Sequence, residues 1–263
     1  MHSFTTKQFG ETVMRDFAAR RDGALFMSAG AQDRSLAHPE FDDLAVGAKK
    51  SADMAVVFLD LTDFTGRSFW DDPAEVADLA HAVMSGFIET VLAFGGYPLG
   101  LRGDGLFAGF GPGQMASIDA VMALGACSFA LNAIETEVNP LLEARNIRRV
   151  QARAGLDYGT ITFIRSGNDQ HSEVNPLGFA ANFAAKCEKK AKSWEIIIGE
   201  GLADLVLDPS LTSEHQESPK EYQRDYTSKL YHYYDYRWRR SLPFLQHAVD
   251  QIGRHSTAQI AIG

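Results

Sequence analysis

The chain has few of the features that mark secreted, membrane-embedded or nucleic-acid-binding proteins. Its 263 residues hold two cysteines, Cys127 and Cys187. Their spacing suits neither a disulfide framework nor a zinc site, so a reducing, cytoplasmic compartment is expected. No apolar run reads as long enough to span a bilayer, so no membrane partner is expected. The N-terminal stretch MHSFTTKQFGETVMRDF is mixed and polar, unlike a secretory signal. Basic residues are scarce: 25 Lys and Arg against 34 Asp and Glu give a net charge of −9. An acidic chain without a basic stripe is a poor nucleic-acid binder, while small anionic ligands stay open because a local cation can dominate a site. There is no internal repeat and no low-complexity segment. The rest is an ordinary globular composition, on a length that suits one large domain or one domain with extensions.

Two stretches organise this chain. Val56–Thr65, VVFLDLTDFT, is an apolar strand with Asp60 near its end. Burying a carboxylate there is costly unless it is paired. Gly95–Gly111, GGYPLGLRGDGLFAGFG, reads as two short strands meeting at Arg102-Gly103-Asp104-Gly105. Asp104 alone also suits an ordinary Asp-Gly hairpin turn. If the strands neighbour one another, Asp60 and Asp104 share one sheet end and repel unless a cation lies between them. A pair of divalent metal ions is the simplest such cation.

The remaining pattern alternates strands and helices. Phe4–Arg21 carries apolar residues at helical spacing, and the region to about residue 50 reads as an extension packed on the core or on a partner subunit, or as a loosely attached arm. Asp53–Leu61 is the first core strand; a helix follows from Asp72-Pro73 to about Phe94, stopped by Gly95-Gly96. A second helix covers roughly Ala116–Arg145, kinked or divided at Asn139-Pro140. Gln151–Asp157 and Thr160–Ile164 read as two strands around Tyr158-Gly159, then Ser166–Pro176 as a polar loop, Leu177–Ala191 as a helix and Trp194–Ile198 as a strand. Tyr226–Arg240, aromatic and basic, reads as one added strand at a sheet edge. The order implies an α+β sandwich of ferredoxin type, with helices on one sheet face.

Four blocks, in order and with fitting spacing, resemble the class III nucleotidyl cyclases: VVFLDLTDFT, GGYPLGLRGDGLFAGFG, ARAGLDYGTI and NPLGFAANFAAKCEKKAKSWEIIIG. The resemblance covers about Asp53–Gly199 and implies a ferredoxin-like βαββαβ catalytic domain over 51–240, an N-terminal extension over 1–50 and a tail over 241–263. It implies a homodimer with active sites at the interface and two divalent metal ions, Mn²⁺ or Mg²⁺, on Asp60 and Asp104. Phe58 takes the place of the aromatic at the mouth of the first strand. Asn182 takes the place of the Asn that positions the ribose. Lys186 stands where the family has the Arg that stabilises the transition state, a departure because Lys lacks the planar fork. Asp63 stands where the family usually has Gly. Arg67 and Lys229 are further candidate phosphate cations, with a solvated surface role as the alternative, and Arg153 reads as structural.

The base-reading positions depart most. The family's purine cyclases read the base with a Lys three residues before Gly-Asp-Gly and an Asp seven before the Asn. Here those positions hold Gly100 and Asn175, and Arg102 replaces an apolar residue. This resembles the pyrimidine cyclases of the bacterial anti-phage Pycsar system, which make cyclic UMP or cyclic CMP. The expected substrate is UTP, with CTP next. A purine cyclase and a non-catalytic nucleotide-binding module are the alternatives.

Overall fold

Strand β1 (Lys49–Thr62) is the axis of the molecule. The computed structural model describes residues 4–21, 36–113, 115–168 and 170–245. Helix α1 (Thr6–Arg21) precedes β1; α2 (Phe64–Trp70) and α3 (Pro73–Ala93) follow it, leading to the hairpin β2 (Tyr97–Arg102) and β3 (Gly105–Phe110). Next come α4 (Ala116–Ala133), a π-helical turn (Ile134–Val138) and α5 (Asn139–Glu143). Then follow β4 (Gln151–Gly167), β5 (Ser172–Leu177), α6 (Phe179–Lys190), β6 (Ile196–Gly199) and α7 (Glu200–Ala203). The last elements are strands β7 (Thr212–Glu214), β8 (Lys220–Arg224), β9 (Thr227–Tyr231) and β10 (Tyr233–Tyr236).

The sheet runs β2-β3-β1-β4-β6-β10-β7, with β5 paired to β4. Strand β3 lies between β1 and β2, the split arrangement of ferredoxin-like sandwiches. β1 is antiparallel to β3 on one side and to β4 on the other, over its full length from Lys49↔Ile164 to Thr62↔Gln151.

The period-two pattern of β1 sorts the core into two layers. Ala55, Val57, Leu59 and Leu61 face α1, α3 and α4. Met54 and Val56 face α6 and Phe41, which stacks on Phe163 at 4.0 Å. Helices therefore cover both faces, which corrects the one-sided expectation. α1 packs on the core: Phe9, Val13 and Phe17 are buried, and Phe9 meets the rings of Phe87 and Phe129 at 6.4 and 6.5 Å. α3 starts where its sequence says: the Asp72 carboxylate accepts from the N–H groups of Ala74 and Glu75, each at 3.0 Å.

Several expectations are corrected. Tyr158-Gly159 does not divide two strands, because the long β1 beside it holds the chain extended throughout β4. The polar loop 166–176 contains β5, a largely exposed strand whose side chains lack the apolar alternation of a half-buried one. The aromatic tail is two strands: β9 pairs only with β8, whereas β10 is inserted between β6 and β7 rather than placed at an edge. Two helical runs, Pro73–Ala93 and Ala116–Glu143, are long and apolar enough to cross a bilayer by length and composition; half and two thirds of their apolar windows are buried inside the fold, which accounts for that composition. The helix is not divided at Asn139-Pro140: the backbone stays in right-handed helical geometry there, and the irregularity is the π-helical turn Ile134–Val138 just before it. Asn139 is buried, donates to Val150 O at 3.0 Å and accepts from Val150 N at 2.8 Å, tying the helix end to the approach to β4.

Candidate active site

The split topology brings together two carboxylates 44 positions apart. Asp60 is paired opposite Gly105, and Leu61 N donates to Asp104 O at 3.3 Å, so Asp104 sits in the turn beside the end of β1. Gly103 in that turn has φ +65, a conformation that a side chain resists. Burial raises the pKa of Asp104, and the neighbouring Asp60 charge raises it further. That penalty on the ionised Asp104 is what a divalent cation relieves. Among the described residues no three His, Cys, Asp or Glu side chains form a ready-made metal cage. The two aspartates thus suit metal ions that take their other ligands from a triphosphate and water.

β4 supplies a third member that lay outside the expected site. Arg153, opposite Asp60, donates to Asp60 Oδ2 from Nε at 3.1 Å and from Nη2 at 2.8 Å. Its Nη1 donates to Ala191 O at 3.2 Å, and its Nη2 lies 2.6 Å from Glu188 Oε1. The last contact is an ion pair without hydrogen-bond alignment, which leaves the buried Glu188 Oε1 without a hydrogen-bonding partner. Burial, with the Asp60 carboxylate second, raises the Glu188 pKa. Nothing in the Lys-rich run CEKK singles out Glu188; its position follows from the seating of α6 on β4.

Beyond Asp60 the chain turns through Asp63, the residue before α2, at φ 57 and ψ 21. This left-handed geometry favours Gly, and Asp is among the few side chains that tolerate it. The Asp63 carboxylate lies over Gly66, where an added Cβ would come within 2.6 Å of Oδ1. Phe58 stacks on Phe107 at 4.5 Å and stays partly exposed. Arg102 is exposed, and its guanidinium has no partner among the described residues. At Gly100 an added Cβ would meet nothing within 4 Å, so packing does not demand glycine there. Asn175, on β5, donates from Nδ2 to Glu173 O at 3.3 Å, which leaves its carbonyl oxygen as an acceptor.

α6 turns Glu188 inward and exposes Asn182 and Lys186, one turn apart. Lys186 Nζ donates to Tyr222 OH at 2.8 Å and lies 4.8 Å from that ring's centroid. No described contact within the chain joins Asn182 or Lys186 to Asp60 or Asp104. Lys229 is exposed on β9, opposite Tyr222. Arg67 is neither a free phosphate cation nor a solvated residue. It is buried, and it bonds Asp71 at 3.2 Å and the carbonyls of Arg148 and Arg149 at 2.8 and 3.4 Å.

No protein-family profile matches the chain. A cytidylate cyclase from Escherichia coli is 28% identical over 189 residues, which is 69% of this chain and 42% of that protein. One from Staphylococcus aureus is 25% identical over 169 residues, 63% of this chain and 40% of that protein. The chain spans less than half the length of the curated relatives it matches. Among solved structures, the adenylyl cyclase CyaB from P. aeruginosa superposes with a TM-score of 0.62 at 21% identity, covering 72% of this chain and 95% of that one. A Class III adenylyl cyclase-like ATP-binding protein from Pseudomonas aeruginosa gives 0.58 at 18% identity, covering 73% and 44%. This is the class III nucleotide cyclase fold. Within the cyclase fold, β1, the β2–β3 hairpin, β4 and α6 all contribute to the candidate site, and the Arg153–Glu188 pair is built from the last two.

Proposed function

We propose that this chain is the catalytic domain of a pyrimidine nucleotide cyclase that converts UTP to 3′,5′-cyclic UMP and pyrophosphate. The observation that carries the reading is the pairing of Asp60 and Asp104 at one sheet end, beside a hairpin with open space at Gly100 and a free guanidinium at Arg102. The cytidylate cyclase names of its relatives support a pyrimidine substrate and favour CTP as the second reading.

Two divalent metal ions held by Asp60 and Asp104 would lower the pKa of the ribose 3′-hydroxyl and neutralise the triphosphate. The 3′-oxygen attacks the α-phosphorus in line, its proton passes to solvent, and the bond to the β-phosphate oxygen breaks to release pyrophosphate. This chemistry is mainly positioning and charge stabilisation, and it requires no dedicated protein base. Asn182 from a second copy orients the ribose, and Lys186 meets the charge that develops on the α-phosphate. Phe58 lines the mouth of the site. Arg102 donates to the base and Asn175 accepts from it. Uracil matches that pair with O4 and N3–H, and presents acceptors on both sides of its N3–H. Cytosine matches it with N3 and N4–H₂. The product would serve as a second messenger in anti-phage defence, made by a cytoplasmic homodimer.

The test is incubation of the protein with each of ATP, GTP, CTP and UTP, with Mn²⁺ or Mg²⁺, and identification of products by mass spectrometry. The expected order is UTP fastest, CTP slower, ATP and GTP barely, with no turnover in Asp60→Asn or Asp104→Asn. Efficient cyclisation of ATP would refute the pyrimidine reading, and near-normal turnover by either aspartate variant would refute the metal assignment.

A further inference from the structure

Strand β4 also buries a carboxylate that takes no part in the candidate active site. Asp157 is 0% exposed. Two glycines make room for it: an added Cβ at Gly199 would come within 2.5 Å of the carboxylate, and one at Gly201 within 3.0 Å of the Tyr231 hydroxyl. That hydroxyl, at the end of β9, donates to Asp157 Oδ2 at 3.1 Å and accepts from Gly201 N at 2.9 Å. Tyr158 N donates to Oδ1 at 2.9 Å, and Leu202 N also reaches the carboxylate. Glu200 from α7 and the Cys187 thiol from α6 face Asp157, while β1 and β6 bring only Val56 and Gly199. None of these groups is a cation, so an ionised Asp157 has no counter-charge and burial favours the carboxyl form. Its pKa is pushed up to about 7.

Tyr231 belongs to a hairpin that side chains hold in place. β8 and β9 pair only with each other, outside the main sheet. Tyr231 packs on Phe179 and Phe183 of α6 at 4.7 and 4.6 Å, and Tyr222 on Phe179 at 5.5 Å. Cys187, 2% exposed, lies in the small core that Tyr222 and Tyr231 cover, whereas Cys127 lies in the main core. We propose that Asp157 and Tyr231 form a proton-operated latch that holds the β8–β9 hairpin on α6 and, through the Tyr222 hydroxyl 2.8 Å from Lys186 Nζ, keeps Lys186 seated. With Asp157 protonated the pair is neutral and stays buried. Ionisation places a charge beside Glu200 that is relieved when the hairpin lifts and water reaches the carboxylate. Opening therefore becomes easier as pH rises from about 4 to about 7 and levels off above that. The part concerning Lys186 rests on the catalytic role proposed for it; the latch itself does not.

The experiment follows labelling of Cys187 and Cys127 by 4,4′-dithiodipyridine from pH 5 to pH 9. Each adduct is quantified by peptide mass spectrometry, and each rate is divided by that of glutathione at the same pH. Cys187 is expected to label at least about a hundredfold faster than Cys127, because the hairpin opens without the main core. Its relative rate should rise at least about tenfold from pH 5 to pH 7 and less than about threefold from pH 7 to pH 9. Asp157→Asn should abolish that rise. Tyr231→Phe, which keeps the ring, should speed Cys187 labelling at pH 5 at least about tenfold. If Tyr231→Phe does not fold, the Asp157→Asn series decides. Equal rates for the two cysteines, or a rise with pH that survives in Asp157→Asn, overturn the latch whatever the protein turns over. An adduct on Cys187 wedges the hairpin open, so it should lower UTP turnover at least about tenfold until dithiothreitol removes it. Unchanged turnover overturns the coupling to Lys186. Absence of triphosphate turnover in the unmodified protein refutes the cyclase reading, and the labelling result then still decides the latch.

Discussion

Gly155 offers the sharpest test of how the fold holds the site. It lies on β4 under α6, and a Cβ added there would stand 2.6 Å from Glu188 Cα and closer still to Glu188 N and Ala184 O. These obstacles are all backbone of one helix, so no rotamer change relieves them. Ordinary contact begins near 3.4 Å, so in Gly155→Ala the helix must move away from the sheet by roughly 1 Å or more. Overpacking of this kind costs about 1–3 kcal/mol, and the upper end applies because the clash is with main chain. For a domain of this size, about 3 kcal/mol corresponds to a fall in Tm of roughly 6–12 °C. The same displacement carries Glu188 away from Arg153 and shifts Asn182 and Lys186. Displacements near 1 Å can cost about 10²-fold in turnover, so activity should fall even well below the new Tm. Thermal unfolding by circular dichroism and steady-state kinetics at 15 °C measure the two effects. A variant melting within 2 °C of the unmodified protein with unaltered turnover would refute the reasoning, since α6 would then not be seated on Gly155.

Asp157 is fully buried on β4, accepts from Tyr231 OH at 3.1 Å and from Tyr158 N at 2.9 Å, and has its pKa pushed up to about 7, chiefly by burial. The folded state therefore holds a proton that the unfolded chain releases near 3.8, and the stability linked to this group is lost as pH rises from about 4 to about 7. The difference of about three units is worth roughly 4 kcal/mol, so Asp157→Asn should match the unmodified protein near pH 4 and exceed it by up to that amount at pH 8 in urea titrations; parallel pH profiles would contradict this. Dimerisation through composite sites predicts that mixing inactive Asp60→Asn with inactive Asn182→Ala restores about a quarter of the unmodified activity, because half of the dimers carry one intact site. No recovery despite demonstrated subunit exchange would place each site within one chain. Arg102→Ala should leave Tm within about 1 °C, since the side chain is exposed and unpartnered, while lowering UTP turnover at least about tenfold; unchanged turnover would put the base reader elsewhere.

Local chemistry made much of this protein legible. Asp72-Pro73 announced the start of α3, and an acid at the end of an apolar run made Asp60 conspicuous, because such patterns act through the backbone or carry a desolvation cost at the residue itself. Strand partners are not local. β4 reads as two strands around Tyr158-Gly159 until a 14-residue β1 lies along it, and β5 reads as a loop because a largely exposed strand has no apolar face to show. Arg67 reads as a solvated residue or a cation available to phosphate, yet the carbonyls that consume it come from residues 148 and 149, distant in sequence but adjacent in the fold. Sequence alone singled out Asp60 and Asp104 as the candidate metal ligands and showed that position 100 carries no side chain. Only the tertiary structure decided that β3 slots between β1 and β2 to bring the two carboxylates together, and that Gly155 admits α6 closely enough to set Glu188 against Arg153 and Asp60. Those outcomes depend on which backbones can approach, a property of surfaces that exist only once the sheet has formed.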